Sequence, residues 1–311
     1  MLEYLSSLPG AVALGAIWGL MAIGVYLTYK ILDIPDLTVD GSFACGGIVA
    51  AVLITNGINF FVALLVAFFV GMLCGMVTGL LHTLLGIPAI LAGILTQLAL
   101  WSVNLKIASG KANISIGVRE FDVIFSQQNI PDTLWKMGLV LVAVIALLYL
   151  FFGTELGASI RATGNNPKMS KSQGINTKFN IGLGLMISNG IVALAGALLA
   201  QYQGFADINM GRGAIVIGLC AVVIGGALFS KIAKNFAVRL TTVAVGGVLY
   251  YFVFQSVVFV GLDTDMLKML SAVVVAVFLG VPYIRRTYWA RIKKRYHNHK
   301  MMKEAKNNVR A

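Results

Sequence analysis

The sequence predicts an all-α polytopic membrane protein with about nine transmembrane helices, eight to ten being the range. Three observations lead there. Hydrophobic residues make up 59% of the 311 and charged residues only 12%, about half the charged share of a soluble domain. Apolar stretches of about twenty residues, long enough to cross a bilayer as a helix, recur along the chain. They are continuous rather than alternating, which argues against a β-barrel.

Residues 1–9 read as a short interfacial turn, without the basic start of a cleavable signal. The first span covers about 10–29. A connector with Asp33, Asp36 and a proline leads into the second, 37–55, whose start holds Thr38, Asp40 and Ser42. Asn56-Gly57 marks a turn. The third span, 60–84, carries Gly71, Gly75 and Gly79 on one helical ridge, which permits close helix contact. Gly86-Ile87-Pro88 breaks the chain before a fourth span that ends near 105. A polar loop over 106–131 precedes the fifth span, 133–152. The sixth covers 181–200, the seventh 214–229, the eighth 240–260 and the ninth 267–283. Residues 1–284 thus form a membrane domain and 285–311 a basic tail.

Between the fifth and sixth spans lies a polar segment, 153–180, with Arg161, Lys168, Lys171 and Lys178 against one acid, Glu155. It reads as two short helices. Thr154 caps the first, which runs to Thr163, and Gly164 closes it in the left-handed conformation. Asn165-Asn166 offers the cap of the second, with Pro167 at its first position and Gly174 as its stop. A plain connector of this length needs no capped helices, so a docking element is the reading and an ordinary charged loop the alternative.

The formal net charge is +12, but the cations cluster in the tail and two loops. That fits orientation against an anionic inner leaflet better than nucleic-acid binding. With the tail in the cytoplasm, alternation through nine spans leaves 18 of the 24 Lys and Arg inside. The N-terminus is then outside. The three cysteines, Cys45, Cys74 and Cys220, lie in apolar runs and read as core residues without disulfides. No zinc-protease, nucleophile-elbow or phosphate-loop pattern occurs, and His82, His297 and His299 form no set.

An acid within a membrane segment is a functional candidate. Asp33 and Asp36 are expected at the cytoplasmic interface, Asp36 as a helix cap. Asp40 either shares that role or, with Thr38 and Ser42, lines a polar cavity at a broken helix. Gln97, Trp101, Asn104, Ser188, Asn189, Gln201, Gln255 and Ser256 are the polar residues inside spans; each faces a solute path or bonds to another helix.

Residues 155–177, ELGASIRATGNNPKMSKSQGINT, resemble the cytoplasmic coupling loop of ABC importer permeases of the branched-chain amino acid and simple sugar group. Residues 32–53 and 211–229 are similar to further stretches of the same family, in the same order. The Leu-Thr-Val-Asp-Gly-Ser variant at 37–42 resembles permeases paired with lipoprotein-type binding proteins and associated with tryptophan or tyrosine uptake. The resemblance implies a permease subunit, not an enzyme, of a bacterial inner membrane. ATP would be bound only by a separate ATPase subunit, so no cofactor is expected. A solute-binding lipoprotein would deliver the solute from outside, and a second copy of the chain would complete a homodimer. It also assigns Arg161, Gly164, Asn166, Pro167, Lys168, Met169, Lys171 and Gly174 to the ATPase contact, with Met169 entering a groove. Thr38, Asp40, Ser42, Gln97, Trp101 and Asn189 remain pathway candidates. The competing readings are a stand-alone secondary transporter or channel, for which Asp40 is the coupling-acid candidate, and an intramembrane enzyme.

Overall fold

A computed structural model of the protein describes residues 2–117, 124–229 and 235–259, with 269, 272–273, 276–277 and 280 in addition. Residues 1–263 make one compact unit and 264–311 a second. The described residues are mostly helical. In order they form α1 (Leu2–Tyr26), α2 (Thr38–Thr55), α3 (Phe60–Thr83), α4 (Ala89–Ile107), α5 (Ile130–Gly153), α6 (Glu155–Asn165), α7 (Pro167–Ser172), α8 (Thr177–Gln203), α9 (Ala214–Leu228) and α10 (Phe236–Phe259). A π-helical turn, Leu27–Ile31, prolongs α1.

Seven helices among the described residues are long and apolar enough to cross a membrane: α1 with its π turn, α2, α3, α4, α5, α8 and α10. The expected count of about nine is not reached among the described residues, and α9 is one reason. The seventh expected span, α9, has only 15 residues. At 1.5 Å per residue it reaches about 22 Å, short of the roughly 30 Å of a hydrocarbon core. The expected ninth span and the basic tail lie largely outside the described residues, as do 230–234 of the basic connector.

The helices sort into an inside and an outside. Windows of α1, α2 and α8 are about four-fifths buried within the molecule, whereas those of α3, α4, α5 and α10 are at most 28% buried. α8 is the hub, packed against α3, α2 and α1, and α1 also carries α10. The glycine ridge of α3 explains the closest of these seams. Gly71, Gly75 and Gly79 face the α8 backbone at Asn189, Leu185 and Gly182; a side chain would collide at the first two and sit tightly at the third. The close contact expected from their spacing is present.

One element was not expected. The loop after α4 and the loop after α8 pair as a two-stranded antiparallel ribbon, β1 (Asn113–Ser115) with β2 (Phe205–Asp207). The fold is therefore not wholly α-helical. Three-residue strands carry too little periodicity to be read from sequence.

Candidate functional site

Two regions gather the residues singled out above. The first is the α6–α7 module. Thr154 caps α6, its hydroxyl accepting from the Gly157 N–H at 3.3 Å. Asn166 caps α7 through the Met169 N–H at 3.0 Å, with Pro167 at the first position. Gly174 follows α7 at φ 80°, the left-handed stop expected of it. Gly164 behaves otherwise. It lies within α6, which runs on to Asn165, and its φ is not positive. A side chain there would strike the Ile31 carbonyl oxygen and the Leu32 backbone. Gly164 is a close-approach residue, and packing against the π turn displaces the helix-ending role expected of it.

The module is tied to the bundle from three sides. Arg161 Nη2 donates to the Phe152 carbonyl at 2.8 Å, joining α6 to the end of α5. Asn180 on α8 donates through Nδ2 to Thr163 Oγ1 at 3.0 Å and accepts from Ser159 Oγ at 3.3 Å. Gly164 presses on the π turn. Ser170 is the buried residue of α7, while Lys168 and Lys171 are exposed and Met169 is 61% exposed. A cavity of about 400 Å³ between the π turn and α6 is lined by Tyr29, Lys30, Asp33, Arg161 and Asn165 among others.

The second region surrounds the start of α2. Here the polar residues divide in two. Thr38, Ser42 and Asn189 are fully buried and bonded to their neighbours. Asn189 Nδ2 donates to Asp36 Oδ2 at 2.7 Å, and Ser42 Oγ donates to Asn189 Oδ1 at 2.7 Å. Thr38 and Thr78 hydroxyls share a 2.6 Å bond, and Thr78 donates onward to Thr96 at 2.9 Å. Asp36 stands one residue before the cap position of α2, which Leu37 holds, and accepts from the Thr38 N–H at 2.9 Å. It is buried within the protein, being only 2% exposed. Burial pushes its carboxyl above the ordinary carboxylate range, and the bonds from Thr38 and Asn189 oppose the shift. Asp33 is exposed, with φ 56°.

Asp40 caps a different helix. Its Oδ2 accepts from the Gly213 N–H and its Oδ1 from the Ile215 N–H, both at 2.9 Å. Those are donors at the start of α9, where a helix leaves its first N–H groups unpaired. The neighbouring Gly41 packs on α4 at Gln97 and Leu100, about 12 Å along that helix from its start. So α9 begins part-way along the bundle, and the backbone before it is non-helical at that depth. Such backbone is tolerated only where its polar groups are satisfied or line a cavity.

Both conditions are met. Beside Asp40 lies a cavity of about 270 Å³, lined by Asp40, Gln97, Trp101, Asn104 and Arg212 with apolar neighbours. Three of the six pathway candidates therefore meet in one cavity, and the other three form the closed network behind it. Sequence reasoning left Arg212 out and gave Asn104 no role of its own. A signal for Arg212 was present in Gly211-Arg212-Gly213, a flexible pair flanking a cation just before an apolar helix. The histidine His82 only ties its own loop, through the Ile87 carbonyl at 2.8 Å. Cys45, Cys74 and Cys220 are buried and free.

Comparison with known proteins fits this geometry. Residues 8–281 match the family described as branched-chain amino acid transport system / permease component. A tyrosine transport system permease protein of Clostridioides difficile (strain R20291) is 40% identical over 264 residues, covering 85% of this chain and 87% of that one. The galactofuranose transporter permease protein YtfT of Escherichia coli (strain K12) is 29% identical over 274 residues, covering 84% and 75%. The fructose import permease protein FruF of Bifidobacterium longum (strain NCC 2705) is 27% identical over 261 residues, covering 83% and 72%. No solved structure matches. The chain belongs to the branched-chain amino acid transport system permease family, a family of multi-pass membrane permeases rather than enzymes.

Proposed function

We infer that the protein is the permease subunit of an ABC importer and carries an amino acid, in particular an aromatic one, across a bacterial inner membrane. The single observation that carries this reading is the α6–α7 module. A six-residue helix exposes Met169, Lys168 and Lys171 while being bolted to α5, α8 and the π turn. An ATPase subunit docked on α7 would move those three elements together when its own dimer closes. The bilayer would surround α3, α4, α5 and α10, and a solute-binding lipoprotein would deliver the solute from the side opposite α7. A second copy of the chain would complete the path as a homodimer. In this orientation the C-terminus is cytoplasmic and the N-terminus outside. ATP binds only the partner subunit. Asp40, Gln97 and Trp101 border the solute path, and Thr38, Ser42 and Asn189 hold its wall. The relative with 40% identity, named for tyrosine transport, supports the choice of solute.

The test is ATP-driven uptake of L-tyrosine by cells making the chain with its neighbouring ATPase and binding protein. Replacing Gly164 with Leu forces the π turn and α6 apart, an overpacking cost of about 1–3 kcal/mol or more. Uptake should fall to background while ATP hydrolysis and membrane insertion persist. Gly174→Leu should act in the same direction, through strain at φ 80°. Normal coupled uptake in both variants would sink the docking role. Uptake that needs an ion gradient and no ATPase would instead establish a stand-alone transporter.

A further inference from the structure

The cavity beside Asp40 has a chemistry more specific than a generic polar path. Asn104 is 1% exposed, and its Oδ1 is buried without a hydrogen-bond partner. A buried acceptor left unmade costs about 1–3 kcal/mol, so it points to an occupant that donates. Arg212 is exposed, and its guanidinium makes no ion pair among the described residues. Asp40 keeps its charge compensated by the first N–H groups of α9. The lining thus sets a cation, a compensated carboxylate and an unpaired acceptor within one cavity. Trp101, 44% exposed, adds an aromatic face and Gln97 a neutral amide.

The cavity lining is more polar than the outer face of α5. α5 turns Leu139, Val142, Leu147 and Leu150 outward, the apolar face a hydrocarbon tail requires. The exposed side of α4 carries Leu91, Leu95, Leu98 and Val103 as well, and its polar residues Gln97 and Ser102 lie beside Trp101. The cavity volume of about 270 Å³ falls just below the range of drug-sized sites, which suits a solute of one amino acid.

We propose that this cavity is a subsite for a zwitterionic α-amino acid with an aromatic side chain. Arg212 meets the carboxylate, Asn104 Oδ1 accepts from the ammonium, and Trp101 packs against the ring. The inference rests on the amino-acid import reading above and adds the residues that select the solute. It makes Arg212, Asn104 and Trp101 specificity determinants. A sugar would stack on Trp101 equally well but would leave both the guanidinium and the asymmetry of charge unused.

The experiment measures equilibrium binding to the full-length chain in lipid nanodiscs, without the binding protein. Four probes are used: L-tyrosine, tyramine, 3-(4-hydroxyphenyl)propionate and D-fructose. L-tyrosine should bind saturably, and tyramine, which lacks the carboxylate, about tenfold or more weakly. Arg212→Gln should weaken L-tyrosine by that same factor yet leave tyramine unchanged. Asn104→Leu should weaken L-tyrosine and spare 3-(4-hydroxyphenyl)propionate, which has no ammonium. Trp101→Phe should retain most binding and Trp101→Ala should not. A merely structural role for Arg212 or Asn104 would weaken all probes alike, and that result overturns the assignment. So does equal binding of L-tyrosine and tyramine by the unaltered chain, saturable binding of D-fructose alone, or no saturable binding of any probe. Failure of the importer reading shows separately, as absent ATP-driven uptake by the complete assembly.

Discussion

Two short helices begin with a side chain capping their first N–H groups, and the caps could hardly differ more. For α7 the cap is Asn166, one residue before the helix, accepting from Met169 three residues on. For α9 the cap is Asp40, which reaches Gly213 from 173 residues away. The first is a local device on an exposed surface. Water could replace it, so its loss frays one turn. The second closes a break in the backbone between two elements far apart in the chain, at part-buried donors beside a cavity, so its loss unfastens α9 from α2. Equal chemistry therefore carries unequal weight, and what each cap fastens sets the difference.

That contrast can be broken by substitution. Asp40→Ala should be the most damaging, removing two charge-assisted bonds worth about 1.5–3 kcal/mol each at most. Thermal unfolding in detergent should drop by several degrees and uptake should fall to near background. Full stability would mean that α9 does not depend on this carboxylate. Asp40→Asn retains one acceptor oxygen and should fall between Asp40→Ala and the unaltered protein. Asn189→Leu comes next, since it removes a side-chain donor from Asp36 and leaves Ser42 only the longer bond to the Val39 carbonyl. Leaving a buried group unsatisfied costs about 1–3 kcal/mol; uptake and unfolding should both report it. Asn166→Ala should cost about 1 kcal/mol locally and show in coupling to ATP hydrolysis more than in unfolding temperature. Asp33→Asn is the smallest. Asp33 is exposed in a left-handed conformation that Asn also tolerates, so unfolding should shift by less than about 0.5 kcal/mol and uptake should match the unaltered chain. A large loss at Asp33 would erase the distinction between the two kinds of acid.

The same contrast explains what the sequence disclosed. Thr154, Asn166, Pro167 and Gly174 were legible because each acts within a few residues of itself. The glycine ridge of α3 was legible because its spacing is helical, although nothing in it named α8 as the partner. Gly164 was misread for the same reason in reverse. A glycine near a helix end has a usual local role, and the Ile31 carbonyl that displaced that role lies far away in sequence. Asp36 was legible as an acceptor for the start of α2, but not as a buried partner of Asn189, which sits 153 residues on. The bounds of α9 were legible, 214–229 expected against Ala214–Leu228 observed; what stayed hidden was the residue that caps it, Asp40, 173 residues before Gly213.

The β1–β2 ribbon adds a consequence for how force passes through the molecule. From Asp207 the chain descends through tight turns, with Asn209 and Met210 N–H groups bonded back to Asp207 and Arg212 N–H to Asn209. Met210 wedges against Gly47 and Gly211 against the Asp40 backbone. An unbroken run of bonds and close contacts thus joins Phe205 at the ribbon to the Asp40 backbone. Should a partner bind at Phe205, this is the covalent and packed route by which its contact would reach the charge inside.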